Sequence, residues 1–277
     1  ASPAMHEAAA RAAGFEAHYH LIEVAQASDG DLRAMLDGVR RLGFAGINVT
    51  FPYKERVVAF LDELAPEAEA MRAVNTIAVR DGRLIGHNTD MTGFRTSYDR
   101  FVGERGPDTI TILGAGGVGR AIAFALARGN GPRLVLFDND HAKANDLTQA
   151  LAGRADIRIA KSIEDAVRDT GGIINATPVG MLPNLDMPVP ANLILASHWI
   201  VDVVYTPLYT PFLVAAHRHG AHTMTGRDLA IHQAMDAFKL FTGHEASESA
   251  MSAAFDRIMA LRGTPAPINE KPAAKAG

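Results

Sequence analysis

Residues 109–127 read Thr109-Ile-Thr-Ile-Leu-Gly-Ala-Gly-Gly-Val-Gly-Arg-Ala-Ile-Ala-Phe-Ala-Leu-Ala127. Five alternating β-branched and apolar residues predict a strand. The glycines that follow match G-x-G-x-x-G, and an apolar helix comes next. In that strand–loop–helix setting Gly114 serves a tight turn, Gly116 lets backbone approach a pyrophosphate, and Gly119 lets helix and strand pack closely. The helix N-terminus adds N–H donors and positive potential, so Gly114, Ala115, Gly116, Gly117, Val118 and Gly119 are candidate cofactor-binding residues. A glycine-rich turn without a ligand is the plain alternative. The next predicted strand, Arg133–Phe137, ends on Asp138, 19 residues (138 − 119) past the last glycine. A carboxylate there accepts ribose hydroxyls and repels a 2′-phosphate, which favours NAD over NADP. Asp138 also reads as a turn cap in DNDHAK, with His141 and Lys143 close by.

Outward from this stretch, further short apolar strands are predicted at 157–160, 172–176, 200–204 and 221–225. With helices between them, they predict a doubly wound parallel sheet. The first 90 residues alternate differently. Helices are expected from Ser2-Pro3 to Ala13, from Ser28-Asp29 to Leu42, from Tyr53 to Leu64 and from Pro66 to Arg72. Strands are expected at 16–24 and 45–50, and a hairpin turns on Asp81-Gly82. Two helices, 227–242 and 247–262, close the pattern, and the Pro/Ala/Lys-rich residues 263–277 read as a flexible tail. The expected architecture is α/β: an N-terminal α/β substrate domain plus a doubly wound Rossmann NAD-binding domain, with C-terminal helices returning to the substrate domain. The expected boundaries are 1–92 with 226–262, and 93–225.

A length of 277 residues suits two domains. Hydrophobic residues at 48% and charged residues at 21% fit a globular protein with a sizeable core. The longest apolar run, Ala121–Ala127, is far below the roughly 20 residues that span a bilayer. Basic and acidic residues number 27 and 31, a net charge of −4, which argues against nucleic-acid or anionic-membrane partners. There is no cysteine, so disulfides, thiolate catalysis and Cys-ligated zinc are excluded. The spacing of His217, His219 and His222 does not suit two ligands on one helical face, and no metal is expected. A cytoplasmic enzyme working on a small molecule, as monomer or homodimer, is the expectation.

Three polar clusters fall at predicted strand ends: Asn48, Thr50 and Lys54 in INVTFPYK, Asn75-Thr76 in AVNT, and Asn88-Thr89-Asp90 in GHNTD. Strand ends of α/β sheets converge on one crevice, and amides and hydroxyls there suit a polyhydroxylated ligand. Lys54 is placed in the first turn of a predicted helix, where the helix dipole opposes a cation that Asp90 would favour. A lysine between those influences suits proton transfer, although a solvated surface lysine explains it as simply.

In order along the chain, SPAMH, INVTFPYK, AVNT, NTD, GAGGVGRA, INATPVGM, DVVYTPLYTPFL and GRDLAIHQA resemble the shikimate dehydrogenase family, most closely its NAD-dependent quinate/shikimate branch. The resemblance runs from residue 2 to about 245 and implies the roles that follow. Lys54 and Asp90 are the catalytic pair beside the oxidised hydroxyl. Ser2 matches the second residue of the family's carboxylate-binding Ser-x-Ser/Thr-Pro motif, and also reads as a helix N-cap. Asn48, Thr50, Asn75 and Gln233 match substrate ligands, and Tyr205 matches the tyrosine near the substrate carboxylate. Thr177, Val203 and Gly226 match positions near the nicotinamide half.

The implied reaction is reversible, NAD-dependent oxidation of the ring hydroxyl of shikimate, and of quinate, to the 3-dehydro acid. NADP-dependent biosynthetic members typically carry an Asn-Arg-Thr-like stretch where this chain has Asp138-Asn139-Asp140, so NAD is favoured here. Ser2 rather than Thr leans toward shikimate. Alternatives are an NADP-dependent biosynthetic enzyme, a relative acting on an amino analogue, and a non-catalytic NAD-sensing module, which need not keep Lys54 with Asp90. Family members begin with a strand and a further serine, so about 10–20 residues are expected ahead of Ala1, without which neighbouring strands would stay unpaired.

Overall fold

The computed structural model describes residues 1–24, 26–103, 106–129 and 131–262. The predicted tail, 263–277, lies outside them. The chain divides into two compact units. The first comprises Ala1–Arg100, Gly117–Arg128 and Asp228–Phe255, and the second Phe101–Gly116, Gly129–Arg227 and Asp256 onward.

The first unit opens with α1 (Ser2–Ala12) and α2 (Asp29–Arg41). Helix α2 starts at a capping box: the Ser28 hydroxyl accepts from the Asp31 amide, and the Asp31 carboxylate accepts from the Ser28 amide. It stops before Gly43, which takes φ +77°. Ser2 is not the cap of α1. Ala1 holds that position, and Ser2 is the first helical residue with no side-chain cap bond.

Strands β1 (Gly46–Asn48), β2 (Glu63–Leu64), β3 (Thr76–Arg80) and β4 (Arg83–His87) form one sheet in the order β1-β3-β4-β2. Strands β3 and β4 make the hairpin expected from Asp81-Gly82, whose φ values of +49° and +74° match a primed turn. Helices α3 (Pro66–Met71), α4 (Thr89–Val102), α5 (Gly117–Leu126), α9 (Gly226–Thr242) and α10 (Glu248–Leu261) contribute all or most of their length to this unit. Leu32 and Leu36 of α2 pack with Val57, Val74, Ile77 and Leu84 in its core.

Two sequence expectations fail here. Residues 16–24 form no strand. Burial alternates from Phe15 to His20 as in an extended chain, but among the described residues no ladder partner lies alongside. The segment is held by side chains: Tyr19 donates to Asn48 Oδ1 at 3.0 Å, and Tyr53 donates to the Val24 carbonyl at 3.1 Å. Residues 53–64 form no α-helix. A short 3₁₀ turn covers Arg56–Phe60, and the chain then extends along β4, with the Asp62 and Ala65 amides bonding to the Leu84 and Gly86 carbonyls. Gly86 makes this possible, since a Cβ there would stand 2.5 Å from Leu61 and 2.9 Å from Leu64.

The second unit holds strands β5 (Thr109–Leu113), β6 (Arg133–Phe137), β7 (Ile157–Ile159), β8 (Gly172–Asn175), β9 (Trp199–Asp202) and β10 (His222–Met224). All pair in parallel, in the order β10-β9-β8-β5-β6-β7. Helices α6 (His141–Ala150), α7 (Ile163–Val167) and α8 (Pro211–Arg218) join them. Leu113, Val135, Ile173, Ile200 and Phe212 share one core cluster. Strand order reverses between β5 and β8, the position at which doubly wound sheets take their ligands. The single tryptophan, Trp199, stacks on His222 at 4.9 Å and meets Phe101 edge-on. Among the described residues no helix is long and apolar enough to cross a membrane.

Candidate active site

In the first unit Lys54 Nζ donates to Asp90 Oδ2 at 2.5 Å. Their side chains are 15% and 13% exposed, shielded enough for a strong pairing yet open to a ligand. Different elements hold the two partners. Lys54 precedes the 3₁₀ turn, and its carbonyl accepts the Val74 amide at 2.8 Å. Asp90 sits in the first turn of α4. The helix-dipole influence expected at Lys54 is absent, because no α-helix starts there. The charge that faces the ammonium is Asp90.

Behind the pair runs a chain of amides and hydroxyls. Asn48 Nδ2 donates to Thr76 Oγ1 at 2.9 Å and to the Asn75 carbonyl at 3.3 Å. Asn75 Oδ1 accepts the Thr89 amide at 2.7 Å, and Asn75 Nδ2 donates to Thr89 Oγ1 at 3.1 Å. Thr89 immediately precedes Asp90, so this network fixes the start of α4. Thr50 is exposed, two residues before Pro52. Gln233 lies on α9 against α4: a Cβ on Gly93 would stand 2.5 Å from the Gln233 backbone nitrogen. The Gln233 amide donates back to the Ala230 carbonyl at 2.9 Å. Ser2 is half-buried at the start of α1. Thus the structure joins Lys54 with Asp90 and Asn48 with Asn75, and it packs Gln233 against the helix that carries Asp90. Tyr205 belongs to the second unit and is partly exposed.

The glycine loop is shaped as its sequence requires. Gly114 takes φ +100°, and a Cβ on it would stand 3.0 Å from the Ala176 carbonyl and from Thr177. Gly116 is exposed, with open space where a side chain would be, and Gly119 is buried. Gly117 is 3.6 Å, at its would-be Cβ, from Lys54 Cδ. Val118 is half-buried in the first turn of α5. Asp138 directly follows β6, and its Oδ2 accepts the Ala115 amide at 2.6 Å while Oδ1 accepts the Asp140 amide at 2.7 Å. Asp138 therefore braces the glycine turn as well as presenting a carboxylate. Through that Asp140 bond Asp138 also caps the turn, as its sequence allows, and Asp140 in turn caps α6. An open Gly116 at a helix start, with an acidic strand end beside it, fits a dinucleotide.

Sequence reading missed Tyr19, Asn175 and Asp202. The last two are the polar residues that end the otherwise apolar runs Gly172–Asn175 and Trp199–Asp202, and that break in apolarity was the available signal. Asp202 is fully buried, and burial pushes its carboxyl up from 3.8 to about 6, against hydrogen bonds from Thr210, Val204 and Asn175 that pull it down. Between those pH values the folded chain keeps a proton that the unfolded chain has released, so this group's contribution to stability falls as pH rises from about 4 to about 6. Across that window the expected loss is about 2 kcal/mol. Denaturant midpoints of the wild type and Asp202→Asn, compared from pH 4 to pH 6, check it. Their difference cancels the other carboxylates and should vary with pH by that amount, and a flat difference would refute it.

An α/β chain with a parallel doubly wound sheet, a glycine-rich loop at its switch point and another unit that holds a small mixed sheet and a Lys–Asp pair is of the two-domain, Rossmann-like class. Residues 1–77 match the model of the shikimate dehydrogenase substrate binding domain. Shikimate dehydrogenase (NADP(+)) of Streptomyces avermitilis is 39% identical over 96% of this chain and 92% of that protein. Quinate/shikimate dehydrogenase (NAD(+)) of Corynebacterium efficiens is also 39% identical, over 92% of each chain. Among solved structures, quinate dehydrogenase from Corynebacterium glutamicum in complex with NAD superposes with a TM-score of 0.86 at 38% identity, covering 92% of this chain and 94% of the other. The chain belongs to the shikimate dehydrogenase family.

Proposed function

We propose that this chain catalyses the reversible, NAD-dependent oxidation of shikimate, and of quinate, at a ring hydroxyl. The observation that carries the reading is the shielded Lys54–Asp90 pair, hydrogen-bonded at 2.5 Å. A bound nicotinamide dinucleotide would supply the hydride acceptor and donor. Gly114 through Gly119 and Asp138 would hold its pyrophosphate and adenosine ribose, and Thr177, Val203 and Gly226 its nicotinamide half. Ser2 and Tyr205 would receive the substrate carboxylate. Asn48, Thr50, Asn75 and Gln233 would orient the ring hydroxyls, which fixes the reacting carbon and so lowers the entropic part of the barrier. The hydroxyl's proton passes to Lys54 Nζ, with Asp90 stabilising the resulting ammonium, as the C–H electron pair leaves that carbon as hydride. In the reverse direction Lys54 returns the proton to the carbonyl oxygen. A non-catalytic NAD sensor would have no use for this pair.

Asp138 supports NAD over NADP, since a 2′-phosphate beside this carboxylate meets like charge. Relatives named for either cofactor are equally similar to this chain, so the carboxylate is the discriminating feature. Steady-state kcat/KM with two substrates and two cofactors, read from reduced-nicotinamide absorbance, tests both parts. The NAD value should exceed the NADP value by more than about tenfold, or about 1.4 kcal/mol. Equal efficiency with both cofactors would sink the cofactor assignment, and inactivity toward both acids would sink the substrate assignment.

A further inference from the structure

The carboxyl edge of the parallel sheet contains a buried polar network that hydride transfer chemistry does not itself require. Asn175 and Asp202 are register partners at the ends of β8 and β9, and both are fully buried. Asn175 Nδ2 donates to Asp202 Oδ1 and to the Val179 carbonyl, each at 2.9 Å. Asn175 Oδ1 accepts the Thr177 amide at 3.1 Å and its hydroxyl at 2.6 Å, and Thr177 Oγ1 accepts the Val179 amide at 3.1 Å. On the other side Asp202 Oδ1 accepts the Val204 amide at 3.0 Å, and Oδ2 accepts the Thr210 hydroxyl at 2.6 Å. Thr210 Oγ1 in turn caps α8 through the Leu213 amide at 3.3 Å.

These three donors to Asp202 are all neutral. A buried carboxylate answered by neutral donors is costly, and an apolar residue of similar size would be less so. What the carboxylate achieves is geometric. It ties together two turns, 176–180 and 203–210, that have no regular secondary structure of their own. The first carries Thr177, and the second carries Val203 and Tyr205. The Val203 carbonyl fixes a third point, because a Cβ on Gly226 would stand 2.3 Å from it. The glycine turn and Asp138, at β5 and β6, are held by separate bonds.

We infer that Asp202 is a positioning residue for the nicotinamide half of the cofactor: through Asn175, Val204 and Thr210 it sets the two turns that bear Thr177, Val203 and Tyr205, while leaving the adenosine half to the glycine loop and Asp138. This rests on the cofactor reading given under Proposed function.

The test compares binding of NAD with that of ADP-ribose, which lacks only the nicotinamide, by calorimetry on the full chain. Asp202→Ala should weaken NAD by roughly tenfold or more and ADP-ribose by less than about twofold. Asp202→Asn keeps an acceptor for Asn175 and Val204 and exchanges only the one for Thr210, so its NAD loss should be smaller, about threefold, with ADP-ribose again unmoved. Should Asp202→Ala fail to fold, Asp202→Asn carries the comparison alone. Equal losses for both ligands would make Asp202 a scaffold residue and overturn the inference, as would unchanged NAD affinity in the alanine variant or, where that variant does not fold, in Asp202→Asn. A wild-type chain that bound ADP-ribose but not NAD would overturn it too. One that bound neither would overturn the cofactor reading itself, and this inference with it.

Discussion

Lys54→Ala is expected to lower kcat by about 10²–10⁴-fold, the usual loss when a positioned general base is removed. Three features of the site set that expectation. Lys54 Nζ is already in a 2.5 Å hydrogen bond, so the variant loses an aligned proton acceptor rather than a mobile surface charge. Asp90 is shielded and would be left without its cation. Lys54→Arg should not rescue activity, because a guanidinium does not give up its proton in a protein and its planar fork differs in reach. Cofactor binding is the control. The glycine turn depends on Gly114 and on the Asp138–Ala115 bond, neither of which involves Lys54, so NAD affinity should stay within about twofold. Turnover near wild type in Lys54→Ala would reject Lys54 as the base. A matching loss of NAD affinity would instead mean that the variant had disturbed the loop.

The parts of this fold that were legible in the sequence are those in which local signals and long-range packing agree. The run Thr109–Ala127 needs only its own alternation, glycines and apolar helix to be read. Asp81-Gly82 needs only the positive φ of its turn. Residues 53–64 show the opposite case. Their apolar spacing is helical, yet Gly86 on a neighbouring strand opens room for Leu61 and Leu64, and pairing with β4 wins. No local window around Tyr53 contains that information. The 16–24 segment has the alternation of a strand but lacks a ladder partner, and periodicity reports side-chain direction, not pairing. The same division runs through the site. Lys54 and Asp90 are 36 residues apart, and their pairing was expected from the family resemblance rather than from spacing. Tyr19, whose hydroxyl bonds Asn48, gives no sign of this in a stretch that reads as an ordinary strand. Asn175 and Asp202 were visible only as polar interruptions. Their reciprocal bonding depends on β8 and β9 being neighbours in register, which the order of strands along the chain does not specify.

Gly93 offers a case in which two physical effects oppose each other and magnitude decides. It lies inside α4, where replacing glycine with alanine ordinarily gains about 0.5–1 kcal/mol by restricting the unfolded chain and restoring helix propensity. At Gly93, however, the new Cβ would stand 2.5 Å from the Gln233 nitrogen and 2.8 Å from its Cα. Those are backbone atoms of α9, so no side-chain rotation relieves the clash and the two helices must separate. Overpacking of this kind costs about 1–3 kcal/mol, which exceeds the propensity gain, and Gly93→Val should cost more than about 3 kcal/mol because its second branch removes that gain as well. Gly38 supplies the control. It too is inside a helix, α2, but a Cβ there meets nothing within 4 Å, so Gly38→Ala should stabilise the chain by about 0.5–1 kcal/mol. The sign of the effect should therefore differ between two chemically identical substitutions, and denaturant unfolding measures it. Function should follow the same geometry. Gly93 is one turn beyond Asp90 on α4 and touches Gln233 on α9, so a folded Gly93→Ala should raise KM for shikimate by about tenfold or more while KM for NAD changes little. A stabilised Gly93→Ala would show that the α4–α9 contact yields more readily than two packed helix backbones should, and an unchanged KM for shikimate would remove Gln233 from the substrate-binding set.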